Sequence, residues 1–596
     1  MCRIAGIVRL DSKPGTEEIV LMRDVMHRGG PDDSGLYIDD ELNIAFGHRR
    51  LSLIDLSPMG HQPMMDEEKK IIIVFNGEIY NYQAVKDQLM QKGYHFHSSS
   101  DTEVIINAYK EWGCDCFSMF NGMFALAILD KKKNQLILAR DHAGIKPLYY
   151  SIENGCLYFA SEIRAFKKIN LHWQENADWE KYFLLFGHLP EPMTTLENVQ
   201  PLPKGYYAII NMTDLSFVQH RFYQQNYQYT IHDRDTAVAV VREKLIAAVE
   251  RHLISDAPIG LFLSGGIDSS LLTMIAKPFL HNNLHTLSIV FEDEKFSEKQ
   301  YQDIIIQQTG AQHRAYIITE KEFRNSLPDI FEAMDQPSND GINSYFISKY
   351  AKQYGLKAVL SGIGADELFG GYPSFYRNAA LMKFRMIPEF MFGIANLFPN
   401  DKRKKINFLQ LKNALGNYLF NRGFFIPAQI AQLLDCTEKE IWQLLDKIAL
   451  PGFVNDLNPQ EQVSYTETNL YMQNQLLKDT DYMSMWHSVE VRVPFLDREL
   501  MDTLYSIHPS IRYDPKQIKH LLIKAFEKEL PAAIWQRPKQ GFIFPFENWM
   551  KHVQPTGSVS KNISDMQKGL NAGNIHWSRY WCYLLSQKNK ANFIYN

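Results

Sequence analysis

Cysteine is scarce in this chain, with six among 596 residues, at positions 2, 114, 116, 156, 436 and 582. They are too few and too scattered for a disulfide framework, and Cys114 and Cys116 lack the second pair that would complete a zinc site. A reducing, cytoplasmic setting is the expectation. Long apolar runs are missing too. The greasiest stretch, residues 384–398, is broken by Arg385, Pro388, Glu389 and Asn396, and no signal-peptide core opens the chain, so neither a membrane span nor a membrane partner is expected. Charge of one sign is not in excess: 63 basic against 68 acidic residues leave a net charge of -5, which argues against a nucleic-acid partner. Internal repeats and low-complexity segments are also absent. What is present is an ordinary composition, 45% hydrophobic, in a chain long enough for roughly two to four domains of about 150 residues, each with a full core.

In the first third, short apolar runs recur between turn residues, at 4–8, 71–75, 124–129 and 136–139. They read as antiparallel strands and hairpins. Beyond about residue 230 the pattern changes to apolar strands followed by helical stretches, as at 259–263 then 269–276, 284–291 and 357–360. That alternation implies a parallel α/β sheet. The proline-rich residues 190–205 and the polar, aromatic residues 224–229 mark a crossover, giving domains at 2–210 and 230–596. After about residue 375 the pattern is mostly helical, for example at 409–419 and 428–434.

Cys2 is the most informative position. Removal of Met1 would leave a thiol and a free α-amine on one residue. An amine with an ordinary pKa of about 8 can take the thiol proton through a short water bridge, so such a cysteine needs no distant histidine. A strand follows it, which fixes the thiol at a sheet end. Gly47-His48-Arg49-Arg50 supplies a paired arginine able to grip a carboxylate, with Arg49 as the expected clamp. Phe75-Asn76-Gly77-Glu78 puts a side-chain amide and a bare backbone N–H at a strand end. An oxyanion needs that donor pair, and one such donor is worth about 3 kcal/mol in a transition state. Asp101 adds an acid for a substrate ammonium. Ordinary readings stand beside these: Asn-Gly as a turn, Arg-Arg as a solvated face, Asp before Thr as a helix cap.

Farther on, Leu263-Ser264-Gly265-Gly266-Ile267-Asp268-Ser269 completes a strand, a glycine-rich loop and a helix start. Loop N–H groups and the positive end of a helix bind phosphate, Ser264 and Ser269 can donate further bonds, and Asp268 can ligate Mg²⁺. A helix-capping turn is the plain alternative. No Walker-type motif occurs, so γ-phosphoryl transfer is not required. A second strand end, Leu360-Ser361-Gly362-Ile363-Gly364-Ala365-Asp366, again places glycines and an acid where open α/β sheets bind ligands.

With Asp141-His142-Ala143-Gly144-Ile145-Lys146 and Ala160-Ser161-Glu162, the first constellation resembles the glutamine-hydrolysing domain of class II amidotransferases, a branch of the N-terminal-nucleophile hydrolases. The serine-glycine loop looks like that of ATP pyrophosphatases. With residues 479–485, Glu490, Arg492, Asp497 and 537–542, nearly the whole chain resembles glutamine-hydrolysing asparagine synthetases. The fold this implies is an α+β N-terminal-nucleophile sandwich followed by an α/β parallel-sheet ATP-pyrophosphatase domain with a helical C-terminal part. The implied activity is glutamine hydrolysis on Cys2, with Asn76 and Gly77 holding the oxyanion and Arg49, Glu78 and Asp101 the amino-acid end. ATP and Mg²⁺ would then convert a carboxylate to an acyl-adenylate, releasing pyrophosphate, for ammonia to attack. Leu263, Ser264, Gly265, Gly266, Asp268, Ser269, Ile289, Ser361 and Gly362 would hold ATP, Asp268 and Asp366 the metal, and Lys539 the phosphates. Glu490, Arg492 and Asp497 read as an internal ion-pair framework. Glutamine, ATP and an acceptor carboxylate are the implied partners, and a homodimer stays open.

Four departures from the family pattern stand out. Arg3 replaces a usual glycine, Gly29-Gly30 replaces a single glycine, Ile363 replaces a glutamate of the acceptor site, and Tyr482 replaces a common arginine. Losing a charge-assisted contact at Ile363 costs on the order of 2 kcal/mol. Asp340 is a candidate replacement. The acceptor is therefore either aspartate or another carboxylate, of a sugar, peptide or secondary metabolite. A cyclase forming an internal amide would be expected to have lost its nucleophile, and a scaffold would need neither site.

Overall fold

The computed structural model describes residues 2–169, 173–292, 298–388, 391–392, 401–538, 545–556, 561–587 and 592–595. Its N-terminal part holds β1 (Arg3–Arg9), β2 (Asp33–Asp39), β3 (Ile44–Arg50), β4 (Met64–Met65), β5 (Ile71–Ile79) and β6 (Gly122–Asp130). It continues with β7 (Gln135–Arg140), β8 (Tyr149–Glu153), β9 (Cys156–Ala160), β10 (Gln200–Pro201), β11 (Tyr206–Asn211) and β12 (Phe217–Arg221). These form two six-stranded sheets, ordered β10-β8-β9-β1-β3-β2 and β12-β11-β7-β6-β5-β4. Neighbours are antiparallel throughout. Ile4, Val8 and Phe46 of one sheet meet Ile72, Val74 and Leu138 of the other in a shared core. The outer faces are apolar as well, covered by Ile19, Met22 and Phe166 on one side and Val85, Leu89 and Ile105 on the other. Strands buried on both faces explain the continuous apolar runs read from the sequence.

The crossover is shorter than the proline count suggests. Residues 190–205 fold back onto the sandwich, where Pro201 sits in the edge strand β10, a place that needs no N–H donor. Arg140, fully buried, fastens this segment by donating to the Leu202 carbonyl at 2.8 Å. The sandwich ends with β12, past the expected boundary at residue 210.

The C-terminal part starts with the helix Arg234–His252. Its sheet comprises β13 (Ile259–Phe262), β14 (His285–Phe291), β15 (Gln312–Ile318), β16 (Ala358–Leu360) and β17 (Glu490–Arg492), ordered β15-β14-β13-β16-β17. All pairs are parallel. The chain runs outward from β13 through β14 to β15, then crosses to β16 on the other side of β13. That reversal opens a crevice at the carboxyl ends of β13 and β16. The rest is helical, with Tyr418, Leu444 and Trp581 in one large core. Among the described residues no helix is long and apolar enough to cross a membrane.

Candidate active sites

Cys2 is 8% exposed and stands at the mouth of β1. Burial pushes its thiol up to about 11, against lowering by the Leu51 backbone and the charge of Arg50. The resting group is therefore a thiol, and attack requires a base. Asn76, fully buried on β5, reaches the same strand end: its Nδ2 donates to Ser161 Oγ at 3.5 Å, and that hydroxyl accepts the Ile4 N–H at 3.0 Å. Asn76 Oδ1 has no hydrogen-bond partner among the described residues. Gly77 permits the close approach of β5 to β6, since a Cβ there would lie 2.1 Å from the Met123 carbonyl oxygen. Glu78 is held well above the carboxylate range by burial and then by Glu490. Asp101 accepts the Ile79 N–H at 3.0 Å, and burial raises it to about 6. The cap of the helix Asp101–Trp112 is made by Ser100, whose Oγ accepts the Thr102 N–H, so Asp101 is not needed for capping.

The structure separates the two arginines offered for the clamp. Arg49 lies directly opposite Arg3 in the β1–β3 ladder, and alternation along a strand turns Arg49 and Arg50 to opposite faces. Arg49 Nη2 pairs with Asp24 at 2.7 Å on the outer helix Thr16–Asp24. Arg50 is the arginine whose charge acts on the Cys2 thiol. It is 6% exposed and donates to the carbonyls of Ser57, Ile54 and Asp55.

At the crevice of the parallel sheet lies a cavity of about 390 Å³ lined by Leu263, Ser264, Asp268, Ser269, Ile289, Ser361, Gly362 and Asp366, all expected to bind nucleotide or metal. Gly265 and Gly266 complete the turn, Gly266 capping the helix Ile267–Leu280. Ser264 and Ser269 hydroxyls meet at 2.9 Å. Lys539 lies outside the described residues.

Sequence reasoning missed Lys519. Its Nζ sits 2.6 Å from Asp268 Oδ2 and 2.5 Å from Asp366 Oδ1, and the residue is 3% exposed. Burial disfavours the ammonium, but the two aspartates more than reverse this and hold its pKa well above the ordinary lysine value. No local signal announces it, because Pro515-Lys516-Gln517-Ile518-Lys519 carries no phosphate-loop pattern. Glu367 was also missed. Burial, then Asp366, raise it to about 7, and it accepts the Tyr372 hydroxyl at 2.6 Å.

The departures separate into two places. Ile363 lines the cavity with Asp340 and Asp479. Tyr482 does not: it lies on the helix Leu477–Trp486 at the domain seam, its hydroxyl 2.5 Å from that of Tyr149. It therefore says nothing about the acceptor. Arg3 lies at the seam too, and Gly29 makes room for it, since a Cβ at Gly29 would stand 2.7 Å from Arg3 Cγ. The Glu490–Arg492 pair, 2.5 Å apart, extends to the thiol site, where Arg492 Nη2 comes within 3.7 Å of Glu78. Asp497 likewise crosses the seam to Asn121 Nδ2 at 3.0 Å.

Residues 240–573 match the asparagine synthase family and residues 1–223 the glutamine amidotransferase domain. The glutamine-hydrolysing asparagine synthetase 1 of Bacillus subtilis (strain 168) is 33% identical over 568 residues, covering 93% of this chain and 88% of that protein. A putative glutamine-hydrolysing asparagine synthetase of Mycobacterium tuberculosis (strain ATCC 25618 / H37Rv) is 30% identical, covering 92% and 87%. Amidase chry2 of Gibberella zeae is 27% identical, covering 95% and 90%. With a thiol site in an antiparallel sandwich, a serine-glycine loop at the crevice of a parallel sheet and relatives that match both along most of their length, this chain belongs to the glutamine-hydrolysing asparagine synthetase family.

Proposed function

We propose that the chain amidates a carboxylate with nitrogen taken from glutamine, driven by cleavage of ATP to AMP and pyrophosphate. Cys2 attacks the glutamine side-chain amide after its own α-amine has removed the thiol proton; the adduct expels ammonia, which takes that proton, and water then hydrolyses the remaining thioester to glutamate and the free thiol. Asn76 Nδ2 and the Gly77 N–H receive the oxyanion, a role supported by the long, weak bond that now occupies that Nδ2. Glu78 and Asp101 take the glutamine ammonium. Arg50, rather than Arg49, takes its carboxylate.

At the crevice, the Ser264–Ser269 loop and the helix behind it receive the phosphates of ATP. Lys519 stabilises the leaving pyrophosphate, the role first expected of Lys539. Asp268 and Asp366 suit Mg²⁺, which takes one or two carboxylates and completes its shell with phosphate oxygens. Both carboxylates converge on one point, now marked by the Lys519 ammonium. When bound, magnesium neutralises phosphate charge. The carrying observation is this convergence of two aspartates and a buried lysine beside the serine-glycine loop.

An acceptor carrying an ammonium is the first reading. Burial raises both Asp340 and Asp479, and Asp340 adds to the shift of Asp479, so a cation between them is favoured. Aspartate meets that requirement. Ile363, apolar in the same wall, favours a second reading in which the acceptor is a carboxylate of a sugar, peptide or secondary metabolite. ATP–pyrophosphate exchange over aspartate and other acids decides between them. The two-site reading is tested by Cys2→Ala, which should abolish amide formation from glutamine and keep it from ammonium salts. Amide still formed from glutamine by this variant would overturn the assignment of Cys2.

A further inference from the structure

Arg3, the residue after the nucleophile, is fully buried and belongs to a chain of ion pairs that crosses the domain seam three times. Its Nε lies 2.5 Å from Glu162 Oε1, and its Nη2 lies 2.9 Å from Asp481 Oδ2. Asp481 also meets Lys146 Nζ at 3.2 Å. In the other direction Glu162 meets Arg164 at 2.7 Å, and Arg164 meets Asp335 at 3.4 Å. Asp335 further accepts the backbone N–H groups of Ile163 and Arg164 at 2.7 and 2.8 Å. Three cations and three carboxylates balance, so the network is neutral, and every member but Arg164 is buried.

Both carboxylates from the far side of the seam sit on segments that also wall the nucleotide cavity. Asp481 is one residue from Thr480 and two from Asp479, and Asp335 opens the segment that contributes Asp340, Gly341, Asn343 and Ser344. The two segments are tied together, because Ser338 Oγ donates to Asp479 Oδ2 at 2.6 Å. The family departures Arg3, Gly29 and Tyr482 all fall here: Gly29 clears space for Arg3, and Tyr149 Oη, beside Tyr482, accepts from Gln336 Nε2 at 3.0 Å.

From this geometry we propose that Arg3 and Asp481 are positioning residues that transmit occupancy of the nucleotide cavity to the nucleophile. A shift of the helix Leu477–Trp486 when nucleotide fills the cavity moves Asp481, and Asp481 moves Arg3 and with it the backbone of Cys2. Buried, ion-paired side chains pass such a movement on, because a protein interior is close-packed. This proposal rests on the two-site reading above. It does not require either residue to touch substrate.

The test uses the full chain and measures glutamate release with and without ATP and magnesium, beside amide synthesis from ammonium and whichever carboxylic acid supports ATP–pyrophosphate exchange in the wild type. Wild type should release glutamate at least about five-fold faster with nucleotide, the lower end of ordinary coupling between two sites. Asp481→Asn should cut that stimulation below about two-fold while leaving unstimulated release and ammonium-supported synthesis within about two-fold. Asp481→Glu should restore most of it, and Arg3→Met should repeat the loss. Stimulation that survives Asp481→Asn, or a wild type that nucleotide does not stimulate, overturns the proposal. Loss of ammonium-supported synthesis in both Asp481→Asn and Arg3→Met overturns it as well, since the network would then serve folding alone. A wild type that releases no glutamate under any condition contradicts the two-site reading instead.

Discussion

The thiol site and the cavity proposed to hold nucleotide differ in how far along the chain their parts are gathered. Cys2, Arg50, Asn76, Glu78 and Asp101 come from the first 101 residues, the first four from strand ends of an antiparallel sandwich and Asp101 from the start of a covering helix. The cavity draws on Ser264, Ser361, Asp366, Asp479 and Lys519, more than 250 residues from first to last, at the reversal of a parallel sheet. Charge is managed differently as well. The thiol site crowds Glu78 and Asp101 into a buried space where both are pushed toward the neutral form, a strain that the proposed substrate ammonium would relieve. In the cavity, Asp268 and Asp366 are already compensated by Lys519. A compact site can hold its charges in tension because rigid strands keep them there; an assembled one carries its own counter-ion.

The largest expected effect breaks the compensated side. Lys519→Met should lower ATP–pyrophosphate exchange by about 10²–10³-fold, as removing a charge aimed at a developing anion does elsewhere. Unstimulated glutamate release should stay within about two-fold. Exchange that persists in this variant would return the phosphate role to another lysine. Next comes the arginine pair. Arg50→Lys should reduce kcat/KM for glutamine by about 10–100-fold, because a bidentate grip on a carboxylate is worth roughly 1.5–3 kcal/mol. Arg49→Lys should change it by less than about two-fold, since its partner Asp24 lies on the outer face. The reverse ranking would restore Arg49 as the clamp. The smallest effect is one of pH. Because burial raises Asp101 to about 6, the free enzyme loses this carboxylate as pH falls through that value. The kcat/KM for glutamine should then decline, by about four-fold half a unit below the midpoint, while exchange at the cavity shows no matching limb. A flat profile between pH 5 and 7 on both reactions would remove Asp101 from glutamine binding.

The fold was legible because its strands are short, apolar and set between turns, and because the pattern changes where antiparallel pairing gives way to parallel. Local order also revealed the serine-glycine loop, whose strand, turn and helix start lie within seven residues, 263–269. Three features escaped. Residues 190–205 looked like a linker because proline excludes a central strand, but an edge strand tolerates it. Arg49 and Arg50 are adjacent in sequence, and only the register of β1 against β3 reveals which one faces the thiol. Lys519 enters its site from a helix start more than 250 residues beyond the loop it serves, a distance over which spacing carries no information. The departures at positions 3, 29 and 482 were visible as oddities, yet their adjacency exists only in three dimensions.

The ion-pair chain at the seam also sets terms for anyone rebuilding this protein. A glutaminase module borrowed from a relative with glycine at position 3 would arrive without the guanidinium that Asp481 faces. Asp481 would keep Lys146 only if the donor also supplied it, and Asp335 would depend on an arginine at 164. A buried carboxylate stripped of its partner typically costs about 3–5 kcal/mol. Positions 3, 29, 146, 162 and 164 therefore have to be exchanged as a set, and a chimera that respects only the domain boundary should express poorly however well each half folds by itself.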